Sequence, residues 1–101
     1  MELAVGSRWK SVVCDTEVVV VRPPGSPTAL ACGGAEMVAV GTDAERGVLD
    51  QALADGTQLG KRYTDESSGI EVLCTKAGEG TLTIDGERLA LKGAKPLPSS
   101  D

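Results

Sequence analysis

Residues 6–11 read Gly-Ser-Arg-Trp-Lys-Ser and residues 60–65 read Gly-Lys-Arg-Tyr-Thr-Asp, so a glycine, an arginine and an aromatic residue recur at an offset of 54. Beyond a turn that is two residues shorter in the second copy, Leu30 falls on Leu82. A repeat this short indicates two similar small modules that pack on one another to bury a shared core. The chain is therefore predicted to be a pseudo-dimer of two β modules, related by an approximate two-fold axis.

The strand pattern of both copies predicts an all-β fold of short antiparallel strands. Residues 18–21 are four consecutive valines, a β-branched run that favours a strand with both faces covered. In the second copy, residues 71–76 and 81–84 have the composition of strands. The pair Asp85-Gly86 that follows them is typical of a type I′ hairpin turn, in which both central φ angles are positive.

Residues 43–57 are the only candidate for a helix. Asp43 is a suitable N-cap, apolar residues recur after it at helical spacing, and Gly56 is placed to end the element. This pattern predicts one short helix or helical turn. The predicted organisation is a first module at residues 1–42, a helical connector at 43–57, a second module at 58–94 and an extended tail at 95–101.

Composition excludes several classes of function. The 101 residues carry a net charge of −5, which argues against nucleic-acid binding, and they include no histidine. No apolar run is long enough to span a membrane, and the N-terminal residues lack the pattern of a secretory signal. Three cysteines do not indicate a disulfide framework. An acidic cytoplasmic protein without membrane or nucleic-acid partners is expected.

Three segments carry a resemblance to a known family. Residues 9–14 read Trp-Lys-Ser-Val-Val-Cys, residues 30–37 read Leu-Ala-Cys-Gly-Gly-Ala-Glu-Met, and residues 80–86 read Gly-Thr-Leu-Thr-Ile-Asp-Gly. With the valine strand between the first two, the pattern resembles the desulforedoxin family, which includes the N-terminal domain of desulfoferrodoxin. The resemblance implies a dimer of small β modules in which four cysteine thiolates per module hold one iron or zinc ion.

Carried over residue by residue, the resemblance implies a degenerate pair of sites. The first site is Ser11, Cys14, Cys32 and Gly33, and the second is Asp65, Ser68, Ile84 and Asp85. Only two of these eight positions keep a cysteine. A metal-free scaffold is therefore expected, with zinc or iron at Cys14 and Cys32 as the alternative.

Each group of candidate residues has more than one interpretation. Cys14 and Cys32 are interpreted as a redox-responsive pair, a two-thiolate metal site completed by another chain, a site with a nucleophilic cysteine, or two thiols packed as small hydrophobes. Asp65 and Asp85 hold a cation or share a proton, or else they are turn residues. Cys74 has no counterpart among the family's ligands, and core packing is expected for it.

The expected function is that of a non-catalytic accessory or binding protein. It would contact a partner protein or a small ligand at the interface between the modules, as a monomeric pseudo-dimer or a homodimer. One alternative is a metalloprotein in which Cys14 and Cys32 are joined by water, Ser11 or a neighbouring molecule. The other is a small enzyme that uses Asp65, Asp85 or Cys14 as acid, base or nucleophile.

Overall fold

A computed structural model describes residues 2–25 and 28–92 of the chain. In these residues ten short strands form two antiparallel sheets, which confirms the prediction of an all-β fold. The half before the connector supplies β1 (Arg8–Lys10), β2 (Glu17–Arg22), β3 (Leu30–Cys32), β4 (Ala35–Glu36) and β5 (Val38–Ala39). The half after it supplies β6 (Arg62–Thr64), β7 (Glu71–Lys76), β8 (Leu82–Ile84), β9 (Glu87–Arg88) and β10 (Ala90–Leu91).

The strand order of each sheet reads the same from both ends once the halves are exchanged. The larger sheet runs β10-β6-β7-β2-β1-β5, and the smaller runs β4-β3-β8-β9. When each strand is replaced by the one five places away along the chain, both orders are reproduced in reverse. The halves meet where β2 pairs with β7 and where β3 pairs with β8. Both halves therefore contribute to both sheets.

The core combines side chains from the two sheets into one aliphatic cluster. Val18 and Val72 come from the larger sheet and Leu30 and Leu82 from the smaller, and all four are buried. Full burial of an aliphatic side chain of this size contributes about 1.5–3 kcal/mol to folding. Tyr63 is also buried, and its hydroxyl accepts a hydrogen bond from a backbone N–H. Buried side chains of both halves thus belong to the same cluster.

The valine strand is covered on one face, not on both as its sequence predicts. Val18 and Val20 are fully buried, whereas Val19 is half-buried and Val21 is 36% exposed. The reason is that β2 lies in a sheet whose inner face packs on the core while its outer face meets solvent. Its apolar counterpart β7 lies beside it in the same sheet, so the two strands join by hydrogen bonds rather than face to face.

The hairpin predicted at Asp85-Gly86 is present and links β8 to β9. Asp85 has a φ of 50° and Gly86 a φ of 87°, the signs that a type I′ turn requires. Gly33 and Gly34 link β3 to β4 with φ angles of 65° and 92°. The corresponding turns of the two halves thus share the same signs of φ.

The connector contains the helical turn that its sequence allows, but not a helix over residues 43–57. Only Gln51–Leu53 are helical, as a 3-10 turn, and Asp50 rather than Asp43 caps it. The preceding residues bond to other segments instead of to their own turn. The N–H of Gly47 donates to the Val12 carbonyl at 2.7 Å, and that of Asp50 donates to the Gly33 carbonyl at 3.0 Å. Tertiary hydrogen bonds therefore replace the helical ones.

Glu71 is a buried carboxylate whose role is structural. It accepts a hydrogen bond from Lys92 at 2.8 Å and lies 3.4 Å from the Arg62 guanidinium. The hydrogen bond from Lys92 lowers the pKa of Glu71, against the effect of burial, and the two cations add to the lowering. A buried charge that is paired in this way holds β7 to β6 and to the residue after β10.

Across residues 2–25 and 28–92, no helix has the length and apolar character needed to cross a membrane. The extended tail predicted at residues 95–101 lies outside the described residues.

Candidate functional site

The loop between β1 and β2 presents Cys14 to the end of β3. Ser11 begins this loop, and its buried hydroxyl oxygen accepts the N–H groups of Val13 and Cys14, both at 3.1 Å. These bonds fold the loop into a compact turn that directs the Cys14 side chain inward. The Cys14 sulfur then lies 3.8 Å from the sulfur of Cys32, the last residue of β3. The structure therefore brings together Ser11, Cys14 and Cys32, the three residues that the resemblance groups.

The pKa values of the two thiols are shifted in opposite directions. Burial acts to raise the pKa of Cys14, but hydrogen bonds from Ser11, Thr16 and the Gly80 N–H outweigh it and lower the pKa to about 7. Burial and the charge of neighbouring Cys14 raise the pKa of Cys32 to about 12. As the pH rises, Cys14 is therefore the first sulfur of the pair to ionise, and Cys32 stays a thiol near neutral pH.

The second half reaches the sulfurs through two glycines. The N–H of Gly80 donates to the Cys14 sulfur at 3.3 Å. A Cβ on Gly80 would lie 2.8 Å from the Cys32 sulfur, and one on Gly78 would lie 2.2 Å from the Thr16 hydroxyl oxygen. A side chain at either position would force neighbouring atoms to shift, because both contacts are closer than van der Waals distance. These glycines permit a close approach, which their sequence pattern does not distinguish from a simple turn.

The fourth position implied by the resemblance is filled by apolar side chains. A Cβ on Gly33 would meet Leu49 Cδ1 at 2.6 Å and Val13 Cγ2 at 2.7 Å. Leu49 belongs to the connector, so this segment occupies the space where a fourth ligand would stand. Ser11, at the third position, already accepts two N–H groups. The side chains present therefore do not fit a four-coordinate thiolate site.

No protein-family model, curated protein or solved structure matches this chain. The resemblance to the desulforedoxin family thus remains a prediction from the sequence. Among the described residues there is also no group of three or more cysteine, aspartate or glutamate side chains arranged to hold a metal ion.

A cavity of about 330 Å³ opens beside Cys14 and is bounded by three parts of the chain. The loop after β1 supplies one wall, the connector supplies Arg46, and the end of β7 supplies Lys76. We call it the cross-half cavity. Its lining includes the cations Lys10, Arg46 and Lys76 and the anions Asp15 and Glu17. Because Asp15 lies 3.6 Å from Arg46, the other two cations face only one further carboxylate.

The four residues of the second predicted site also line one cavity, of about 260 Å³. Its walls include Asp65, Ser68, Ile84 and Asp85, together with Thr28 of the first half. The two carboxylates serve the backbone in this arrangement. Asp65 accepts the N–H of Ser68 at 3.0 Å, and Asp85 accepts the N–H of Ala29 at 2.9 Å. These bonds are those of turn residues.

The third cysteine lies in the core, as its place in a strand predicts. Cys74 is 1% exposed in β7, and its thiol donates to the Lys76 carbonyl at 3.2 Å. Burial raises the pKa of Cys74. Cys74 is therefore a packing residue of the core.

Three contributors to the thiol pair have no signal in the motif that locates the cysteines. The Thr16 hydroxyl oxygen lies 3.3 Å from the Cys14 sulfur. The Leu49 side chain covers Gly33, and the N–H of Gly80 donates a hydrogen bond to the Cys14 sulfur. Thr16 aligns with Ile70 at the repeat offset, so a polar residue at an apolar position is the one sequence feature that marks it.

Proposed function

We propose that this protein is a small non-catalytic binding protein of the cytoplasm, and that the cross-half cavity is its binding site. The observation that carries the proposal is the composition of the cavity wall. The first half, the connector and the second half each contribute to it, so all three parts of the chain meet solvent there. Its volume of about 330 Å³ is within the range of small-molecule sites.

The charge of the wall selects the ligand. Because Asp15 is paired with Arg46, Glu17 is the one lining carboxylate left to face Lys10 and Lys76. The wall therefore has an excess of positive charge, although the chain as a whole is acidic. The sulfur of Cys14, which is also part of the wall, accepts the Gly80 N–H. We therefore propose that the cavity receives a group with a carboxylate or phosphate, either on a small molecule or on an acidic side chain of a partner protein.

Amide chemical shifts of the isotope-labelled full chain, titrated with inorganic phosphate and with citrate, test this proposal. We expect saturable shifts confined to the loop after β1, Arg46 and Lys76. Lys76→Glu should weaken binding about fivefold or more, the equivalent of about 1 kcal/mol for one surface charge. Lys61→Glu, exposed and outside the cavity, is the matched control.

Native mass spectrometry of the gently purified protein separates the two sources of the anion. A retained small molecule indicates a free ligand, and a retained polypeptide indicates a protein partner. A bare chain that also gives no saturable shift with either anion contradicts the proposal.

A metalloprotein is the second candidate, and the sulfur separation favours it. In a tetrahedral site with metal–sulfur bonds of about 2.3 Å, two sulfurs lie about 3.8 Å apart, and the Cys14 and Cys32 sulfurs are 3.8 Å apart. The apolar cover of Leu49 over Gly33 argues against it. Elemental analysis after purification from zinc- and iron-supplemented cells tests it, and less than about a tenth of an equivalent of either metal contradicts it.

An enzyme that uses Asp65, Asp85 or Cys14 stays a prediction from the sequence. Both carboxylates accept backbone hydrogen bonds that explain their presence without chemistry.

A further inference from the structure

The two sulfurs of Cys14 and Cys32 are close enough to bond after a small local movement. They lie 3.8 Å apart, and a disulfide requires about 2.05 Å, so an approach of about 1.8 Å is needed. Both thiols are free in the structure. The loop that carries Cys14 is short and irregular, whereas Cys32 lies at the end of a strand. The movement therefore falls mainly on the Cys14 side.

The two sulfurs differ in how a reagent reaches them. Cys14 is part of the wall of the cross-half cavity, whereas Cys32 is fully buried and is not in that wall. Lys10 and Lys76 on the same wall attract an anionic reagent. A reagent that enters the cavity meets Cys14 first, and Cys32 then lies behind it.

From this arrangement we infer that Cys14 and Cys32 form a reversible disulfide by exchange with an anionic low-molecular-weight disulfide, of which glutathione disulfide is the probe. The Cys14 thiolate attacks one sulfur of the reagent, the reagent's S–S bond breaks, and one thiolate leaves. Cys32 then gives up its proton to solvent and attacks the Cys14 sulfur. The second half of the reagent leaves as a thiolate, so two protein thiols are oxidised and one disulfide is reduced to two thiols.

Bond formation would alter the wall of the cavity. In the reduced state the Cys14 sulfur accepts the Gly80 N–H and lies 3.3 Å from the Thr16 hydroxyl oxygen. A sulfur bonded to Cys32 has no negative charge and is a poor acceptor, so both contacts weaken. The contact between the first half and the Gly78–Gly80 segment therefore depends on the redox state. In a reducing compartment such a bond is transient, as in a redox sensor.

The experiment uses the full-length chain with Cys74→Ser, which leaves only the two cysteines of interest. The reduced protein is equilibrated with glutathione buffers of stepped oxidation ratio, quenched with acid and weighed by mass spectrometry. We expect loss of two hydrogens per chain, reversed by reductant. Cleavage after Glu2, Glu17 and Glu36 places the two cysteines on separate peptides, residues 3–17 and 18–36, so their linkage is read directly.

The order of attack is tested by removing one sulfur at a time from the Cys74→Ser protein. With Cys32→Ser, one glutathione should accumulate on Cys14, since no second thiol displaces it. With Cys14→Ser, adduct formation on Cys32 should be at least about 100-fold slower. Equal rates for the two variants would overturn the assignment.

The parent protein keeps the proposal testable even if a single variant fails to fold. A folded Cys74→Ser chain that stays fully reduced under the most oxidising buffer contradicts the inference, and so does a disulfide found only between chains. The measurement needs no cavity ligand, so it stands or falls separately from the binding function proposed above.

Discussion

The backbone N–H of Gly80 donates a hydrogen bond to the sulfur of Cys14 across 3.3 Å, between residues 66 positions apart. Through this bond, a residue of the second half contacts a thiol that belongs to the first half. It stabilises the thiolate form of Cys14 and requires that residue 80 lack a side chain. The thiol pair is therefore a product of both halves, although both cysteines lie in one.

The first prediction concerns the close approach at Gly80. Gly80→Ala should lower the free energy of unfolding by about 1–3 kcal/mol, because the new Cβ would lie 2.9 Å from a backbone nitrogen of Gly33, which cannot move aside cheaply. Gly25→Ala is the control, since its Cβ would have no neighbour closer than 3.7 Å, and it should change stability by less than about 0.5 kcal/mol. Urea unfolding measures both, and equal losses would count against the contact.

The second prediction compares neighbours in the connector. Leu49→Ala should cost about 1–2 kcal/mol, because the Leu49 side chain covers Gly33, although it is only partly buried. Val48 is 92% exposed, so Val48→Ala should cost less than about 0.5 kcal/mol. Leu49→Ala should also speed the labelling of Cys32 by thiol reagents. If Val48→Ala proves the more costly change, the placement of Leu49 over Gly33 is contradicted.

The third prediction concerns pH. Alkylation of Cys14 by iodoacetamide should rise with a midpoint near pH 7, its pKa, while Cys32, with a pKa of about 12, stays unreactive up to about pH 9. Because folding lowers the Cys14 pKa from 9.0, the thiolate's contribution to stability is complete above pH 9 and is lost as the pH falls through about 7. Rates are read by peptide mass spectrometry.

A matched pair of threonine variants checks the cause of that midpoint. Thr16→Val removes a hydroxyl that hydrogen-bonds the Cys14 sulfur and should move the midpoint to higher pH. Thr75→Val, at an exposed position of β7, should leave it unchanged. A midpoint that shifts equally in both variants contradicts the assignment.

The fourth prediction addresses Asp85 as a turn residue. Asp85→Ala should cost about 1–2 kcal/mol, because alanine tolerates a φ of 50° poorly and cannot accept the Ala29 N–H. Asp85→Asn keeps both properties and should cost less than about 0.5 kcal/mol. Glu87→Ala, exposed in β9, is the neutral control. Thermal and urea unfolding decide the outcome, and an Asn variant as unstable as the Ala variant would require a charged role for Asp85.

Local sequence predicted much of the fold. The predicted strand at residues 71–76 coincides with β7, and the Asp85-Gly86 turn has the φ signs expected of it. These features depend on residues close together in the chain, where β-branching and turn geometry act directly. The helix predicted in the connector was wrong beyond Gln51–Leu53, because Gly47 and Asp50 form hydrogen bonds to distant carbonyls.

The proximity of three residues at the candidate site was expected, but their surroundings were not. The resemblance to the desulforedoxin family implied that Ser11, Cys14 and Cys32 lie together, and in the structure they do. Gly33 is covered by Leu49, whereas the sequence pattern placed Leu49 on the apolar face of a helix. Contacts of this kind arise from packing between distant segments, and no local pattern encodes them.

By itself, the sequence determined that this chain forms short antiparallel strands in two similar halves, with paired turns and two cysteines in the first half. The tertiary structure alone decided what those cysteines can do. Their acidities follow from the N–H of Gly80, the hydroxyl of Thr16 and the depth of burial, and each of these depends on how the chain packs. Electrostatic effects on a sulfur act through space over a few ångströms, so they are set by whichever segments packing brings near it.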